Sequence, residues 1–269
     1  MKEHLISFKT AVDSVEIPKR LNNPFDTFVP EICKVAAQEL QRYIAANEAN
    51  WAHDFGFYSS TKGSDKDKLP DRVKGKMFGV LVVRTEKGSL GYLAAFSGNL
   101  LTGDSRHPFV SSVFDATVDD YFINRGMSAL TALSDKINEL KKTQDSAAKE
   151  NISKLKLERK NKSYQLQQQL FENYRFTSVL GSTANLIHIF SNIPNARPAA
   201  GTGECAAPKL LQYALENKLE PIAITEFWWG RSPKTIRREH KAFYPACQNK
   251  CRHLLEYMLH DSTLYDAGK

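Results

Sequence analysis

Three of the chain's four cysteines open two stretches of helical periodicity close to the C-terminus. Gly203-Glu204-Cys205-Ala206-Ala207-Pro208 begins one, which continues to about Asn217 through Leu210, Leu211 and Ala214. Tyr244-Pro245-Ala246-Cys247-Gln248-Asn249-Lys250-Cys251 begins the other, which continues to Leu259 through Leu254, Leu255 and Met258. The apolar run Pro221–Trp229 between them reads as a strand. A helix–strand–helix unit carries both helix starts to one end of a sheet, so Cys205, Cys247 and Cys251 are expected to converge. Three convergent thiols are a ligand set for zinc. The competing reading is three small residues buried at helix starts, a common place for free cysteine.

The rest of the chain supplies a framework for such a unit. Residues 1–30 hold Pro18, Pro24 and Pro30 and read as an irregular lead-in. From Glu31 to about Asn47, Ile32, Val35, Ala36, Leu40, Tyr43 and Ile44 share one helical face, with Cys33 packed as a core residue. A polar loop covers roughly 59–75. Lys76–Arg84 and Ser89–Ser97 flank Thr85-Glu86-Lys87-Gly88, which predicts a β-hairpin. The first of these strands is apolar almost throughout, as in a central strand covered on both faces.

Between 118 and 176 the texture becomes helical. Met127, Leu130, Leu133, Ile137 and Leu140 recur at three- and four-residue steps, and Ile152, Leu155, Leu166 and Leu170 follow in a Lys/Gln-rich background. Neither Gly nor Pro interrupts 127–176, which predicts a long helical arm, with a turn near Thr143–Ala147. Its basic residues, among them Lys141, Lys142, Lys154, Lys156, Arg159, Lys160 and Lys162, read as a solvated face, with phosphate contact as the alternative. Residues 181–203 read as a loop-rich connector. The expected organisation is therefore 1–117 and 177–269 as two parts of one α/β core, with 118–176 as the arm. Without the arm, the core order is helix, strand, strand, helix, strand, helix.

With 269 residues and 42% hydrophobic content the chain is long and apolar enough for a substantial core. Four cysteines in that length do not form a secreted disulfide framework, and the polar N-terminus is no signal peptide. No stretch reaches a membrane-spanning length, so the expectation is a cytoplasmic protein with reduced thiols. The net charge of +7 suits an anionic partner, of which nucleic acid is the usual one.

In these cysteine blocks the chain resembles the zinc-dependent nucleobase deaminases of the cytidine deaminase fold. There a His or Cys opens one helix, a proton-shuttling Glu follows two residues later, and Pro-Cys-x-x-Cys opens the next helix. Two departures stand out. Ala207 occupies the position of the glutamate, and Pro245-Ala246-Cys247-x-x-x-Cys251 has one extra residue before the first thiol and one between the two. Four-residue spacing still puts both thiols on one helical face. The substitutes for the missing carboxylate are Glu204 and Glu226. A further possibility is nucleophilic chemistry by Cys205 with His240 as base and Glu226 as orienter.

The segment from Glu226 to Lys241 joins Trp228 and Trp229 to Arg231, Lys234, Arg237, Arg238 and His240. Aromatic rings beside cations suit stacking on unpaired bases with phosphate contacts. The alternative is a core tryptophan and a solvated basic loop. Most of the chain resembles the N-terminal extension of bacterial pseudouridine synthases of the ribosomal large subunit type. The resemblance runs through Lys74–Val83, Gly91–Gly98, Gly203–Leu211, Glu226–Gly230 and Phe243–Cys247. Such synthases carry their catalytic aspartate in a His-Arg-Leu-Asp stretch, which this sequence lacks. The chain ends about where a synthase domain would begin, which suggests an excised accessory domain or a protein without the catalytic half. The resemblance implies an RNA-associated accessory domain, working with a synthase domain or partner chain. The other expectations are a divergent zinc-dependent hydrolase of the deaminase kind and a protein-interaction module that docks through the helical arm.

Overall fold

The protein's structure, a computed structural model, describes residues 3–49, 75–98, 107–114, 121–142, 146–191, 193–233 and 236–259. Its elements in chain order are α1 (Glu31–Ala49), β1 (Lys76–Arg84), β2 (Leu90–Phe96), α2 (Tyr121–Leu140), α3 (Ser146–Asn173), β3 (Arg175–Thr177) and β4 (Thr183–Asn185). They continue with α4 (Leu186–Ser191), α5 (Ala206–Glu216), β5 (Glu220–Trp229), β6 (Phe243–Tyr244) and α6 (Gln248–Leu259). The expected loop at 59–74 and the centre of the expected turn, 143–145, lie outside the described residues. No described helix is long and apolar enough to cross a membrane.

The chain divides into two compact units. The first comprises Met1–Val113, Phe176–Ala184 and Gly201–Lys269. Its main sheet has the order β2-β1-β5-β6, and every neighbouring pair is antiparallel. As its apolar run predicts, β1 lies inside the sheet with Phe78, Val80, Leu81, Val82 and Val83 all buried. The α1 face of the sheet holds Phe78, Val80, Val82, Tyr92 and Phe227 against Ile32, Ala36, Leu40 and Ile44. Cys33 is buried in this cluster, and that burial pushes its thiol pKa up.

Residues paired across an antiparallel sheet share a face. Gly79 of β1 pairs with Ala95 and with Glu226, so these three look away from the Phe78–Phe227–Phe96 side. On this second face α5 lies against the sheet. A Cβ on Gly79 would stand 2.8 Å from the Ala206 Cβ and 3.1 Å from Leu210 Cδ1. The absent side chain is what lets the start of α5 reach the strand. Gly79→Val should therefore cost about 3 kcal/mol by overpacking, read as a lower urea midpoint. An unchanged midpoint would mean that α5 can retreat freely.

Segments of the N-terminal lead-in lie beside β2 and β5. Ile6 exchanges two backbone hydrogen bonds with Tyr92, at 2.9 and 2.8 Å, on the outer side of β2. Asn22 pairs with Ile224 through its side-chain amide, donating to the carbonyl at 3.0 Å and accepting from the N–H at 2.8 Å. Such contacts occupy backbone groups on which another strand could otherwise add.

The second unit comprises Phe114–Arg175 and Asn185–Ala200. Gly126 meets Leu166, and Arg159 Nε donates to Ser134 Oγ at 2.7 Å, contacts that require α2 and α3 to run antiparallel. Leu130, Leu133 and Ile137 are buried as their spacing predicts, whereas Met127 of the same repeat is 52% exposed. Lys154 and Lys162 pair with Glu150 and Glu158 one turn earlier, as on a solvated helix face. Residues 185–191, part of the expected connector, form the end of β4 and all of α4, and Leu186, Ile189 and Phe190 are buried.

Candidate metal centre and its cavity

Gly201 and Gly203 adopt positive φ, 79° and 90°, and carry the chain into α5. Cys205 follows as the N-cap in extended conformation, φ −75° and ψ 162°. Pro208 falls within the first turn, where a missing N–H costs the helix nothing. The backbone just before Cys205 is anchored by Gly98 N–H, which donates to the Glu204 carbonyl at 2.8 Å. Lys209, 3% exposed, reinforces this junction: its ammonium donates to the carbonyls of Phe96, at 3.1 Å, and of Gly98.

Cys247 immediately precedes α6, and its sulfur accepts the backbone N–H groups of Lys250 and Cys251. Cys251 is fully buried one turn into the same helix. The three sulfurs lie within 4.8 Å of one another, and together they can hold a metal ion. Hydrogen bonds from the Cys205 and Cys251 thiols, aided by the two backbone donors, pull the Cys247 thiol down to about 2. Hydrogen bonding to Cys247 and Cys251, together with burial, pushes Cys205 up. Cys251 receives a lowering hydrogen bond from Cys205 but rises to about 12 through its bond to Cys247 and its burial. The cluster thus concentrates negative charge on the sulfur held at a helix N-terminus, where a thiolate is favoured.

Glu226 completes the arrangement from the sheet. It is 3% exposed, sits opposite Gly79 on one side and Tyr244 on the other, and accepts the Ala207 N–H at 2.9 Å. Ala207 is the residue two places after Cys205, where the deaminase pattern has its glutamate. A carboxylate from β5 thus reaches the backbone of a helix position whose own side chain is a methyl group. Burial pushes the Glu226 carboxyl up to about 8; the Ala207 hydrogen bond opposes that, the Cys247 charge adds to it, and Arg238 lowers it. A cavity of about 390 Å³ opens here, lined by Cys205, Cys247, Glu226, Met77, Ile236 and Arg238 among others. Glu204, the other expected substitute, places its carboxylate 3.7 Å from the Lys209 ammonium and does not line the cavity.

The basic segment is placed unevenly. Trp229 is 5% exposed and belongs to the core, with the His240 ring edge-on at 4.3 Å, so it offers no open face for a base. Trp228 lies across Gly75, where a Cβ would stand 2.2 Å from the indole, and its Nε1 donates to the Arg231 carbonyl at 3.2 Å. His240 Nδ1 accepts the Gly230 N–H at 3.0 Å and is absent from the cavity lining, so Cys205 and His240 are not brought together there. Arg231 is exposed, Arg237 pairs with Glu239 at 3.8 Å, and Lys234 lies outside the described residues. Arg238 is the exception. It lines the cavity with its guanidinium 4.1 Å from the centre of the Tyr244 ring. The sequence places Tyr244 at the head of the second cysteine block but gives no sign of its role as the ring beneath Arg238. Comparison of the chain with protein-family models, with curated proteins and with solved structures found no significant match.

Proposed function

We propose that this chain is a zinc-dependent hydrolase of the deaminase kind, acting on the amidine of a nucleobase. The observation that carries this reading is the buried Glu226 carboxylate, bonded to Ala207 N–H and opening on the same cavity as Cys205 and Cys247. Zinc–sulfur bonds of about 2.3 Å in tetrahedral geometry put sulfurs about 3.8 Å apart, and the thiol cluster meets that spacing with small adjustments. Catalytic zinc sites use three protein ligands and keep a fourth position open, and the three sulfurs can supply such a set. Zinc in such a setting supplies Lewis-acid activation of a water. With zinc held by the three sulfurs, Glu226 would serve as the group that takes up a proton in the cavity and returns it to the departing amine. In the balanced reaction the amidine carbon gains oxygen from water, its bond to the exocyclic nitrogen breaks, and ammonia leaves. The order α1-β1-β2-α5-β5-α6 within the first unit, which also holds β6 and most of β3 and β4, supports a deaminase-like core. Three reduced thiols fit a cytoplasmic setting.

The test is ammonia release by the zinc-loaded chain from cytidine, adenosine, guanosine and their 5′-monophosphates and from single-stranded RNA. Release by the wild type and none by Cys205→Ser is expected. A zinc-loaded chain that releases ammonia from none of them would sink the hydrolase reading. The accessory role beside a pseudouridine synthase then takes its place. Its support is Arg238 resting on Tyr244, which belongs to the Phe243–Cys247 block that resembles the synthase extension.

A further inference from the structure

The same cavity narrows the substrate class, an inference that rests on the hydrolase reading. Among the described residues that line it, Arg238 is the only cation. Its position is built rather than incidental. The Arg238 N–H donates to Ser232 Oγ at 2.8 Å, and the Glu239 N–H donates to the Tyr244 hydroxyl at 2.7 Å. Lys241 adopts φ 66°, and Trp228 exchanges hydrogen bonds with Lys241 and Ala242, closing the base of the loop. Tyr244 is in turn paired with Glu226 across the sheet. One ladder position therefore carries the buried carboxylate and the ring on which the guanidinium rests. The neighbouring Glu239 carboxylate is engaged by Arg237, which is 90% exposed.

A guanidinium held over an aromatic ring keeps its in-plane donors for a ligand, and that planar fork matches phosphate oxygens two at a time. A cavity of about 390 Å³ is in the range of small-molecule sites and admits a sugar phosphate with its base. We propose that the substrate is a nucleotide unit rather than a free base or nucleoside, and that Arg238 anchors its phosphate. The phosphate belongs either to a mononucleotide or to an RNA strand.

The experiment compares kcat/KM of the zinc-loaded full chain for cytidine, CMP and a short single-stranded oligoribonucleotide, and likewise for the adenine set. The wild type, Arg238→Ala and Arg238→Lys are assayed side by side. A charge-assisted bidentate contact is worth a factor of roughly 10 to 150, so CMP or the oligonucleotide should exceed cytidine by that order. Arg238→Ala should lose most of that preference through KM, with a several-fold smaller loss on cytidine, and Arg238→Lys should recover only part. The better of CMP and the oligonucleotide identifies the source of the phosphate. Equal use of cytidine and CMP by the wild type, or equal losses on both in Arg238→Ala, overturns the anchor while leaving the hydrolase standing. If nothing is turned over, calorimetric binding of CMP against cytidine decides the anchor separately. Tighter CMP binding abolished in Arg238→Ala supports it, and equal binding overturns it.

Discussion

Glu226→Gln should reduce ammonia release by about 10³-fold, within the range associated with losing a positioned general acid–base group. The amide keeps the size of the side chain and an oxygen to accept the Ala207 N–H, so the backbone bond at 2.9 Å survives. What disappears is the capacity to accept and return a proton inside the cavity. Zinc content should stay at the wild-type level, because the thiols come from α5 and α6 and not from β5. Stability should hold or rise, since an amide does not carry the desolvation cost of a buried carboxylate. A Glu226→Gln enzyme within about fivefold of wild type would remove Glu226 from the chemistry.

The second large effect concerns the metal. Protein purified without added zinc should contain about one zinc per chain by elemental analysis, and Cys205→Ser should contain almost none. Loss of a partner that merely orients a ligand already costs 10–100-fold in affinity, so loss of a ligand should cost at least about 100-fold. Cys251→Ser should behave alike, whereas Cys33→Ser should keep its zinc, because Cys33 is buried among Ile32, Ala36 and Phe78 on the α1 face. Chelation should also lower the melting temperature, since metal bound only to the folded state stabilises it by mass action. Equal zinc in wild type and Cys205→Ser would place the metal elsewhere, and no zinc in either would leave the three cysteines as buried helix-start residues.

The parts that could be read from residue order were those governed by period. The apolar runs around Thr85–Gly88 announced the β1–β2 hairpin, and the three-and-four spacing in α1, α5 and α6 announced those helices. The short elements β3, β4, α4 and β6 were not legible, because two to six residues are too few to repeat a pattern. Met127 fits the α2 repeat yet is exposed, since spacing marks a stripe but not how much of it is covered. The convergence of three thiols followed from helix starts flanking one strand. The choice between Glu204 and Glu226 did not. It depends on cross-strand register, which seats Glu226 opposite a glycine and under the first turn of α5. Trp229 failed as a base-stacking candidate for a related reason. β5 is buried along nearly its whole length, so alternation gave no signal of which ring faced inward.

In this molecule the carboxylate and the sulfurs ride on different layers: Glu226 on a strand, and Cys205, Cys247 and Cys251 at the heads of helices. A change confined to the strand should therefore stop turnover and leave the metal in place. A small slide of α5 over the sheet, by contrast, would carry Cys205 away from Glu226 and, in the same movement, from Cys247 and Cys251 at the head of α6. The tight seat of Ala206 and Leu210 over Gly79 acts as the registration pin between the layers. Warming or mild denaturant that loosens this seat should release the zinc and silence the chain together.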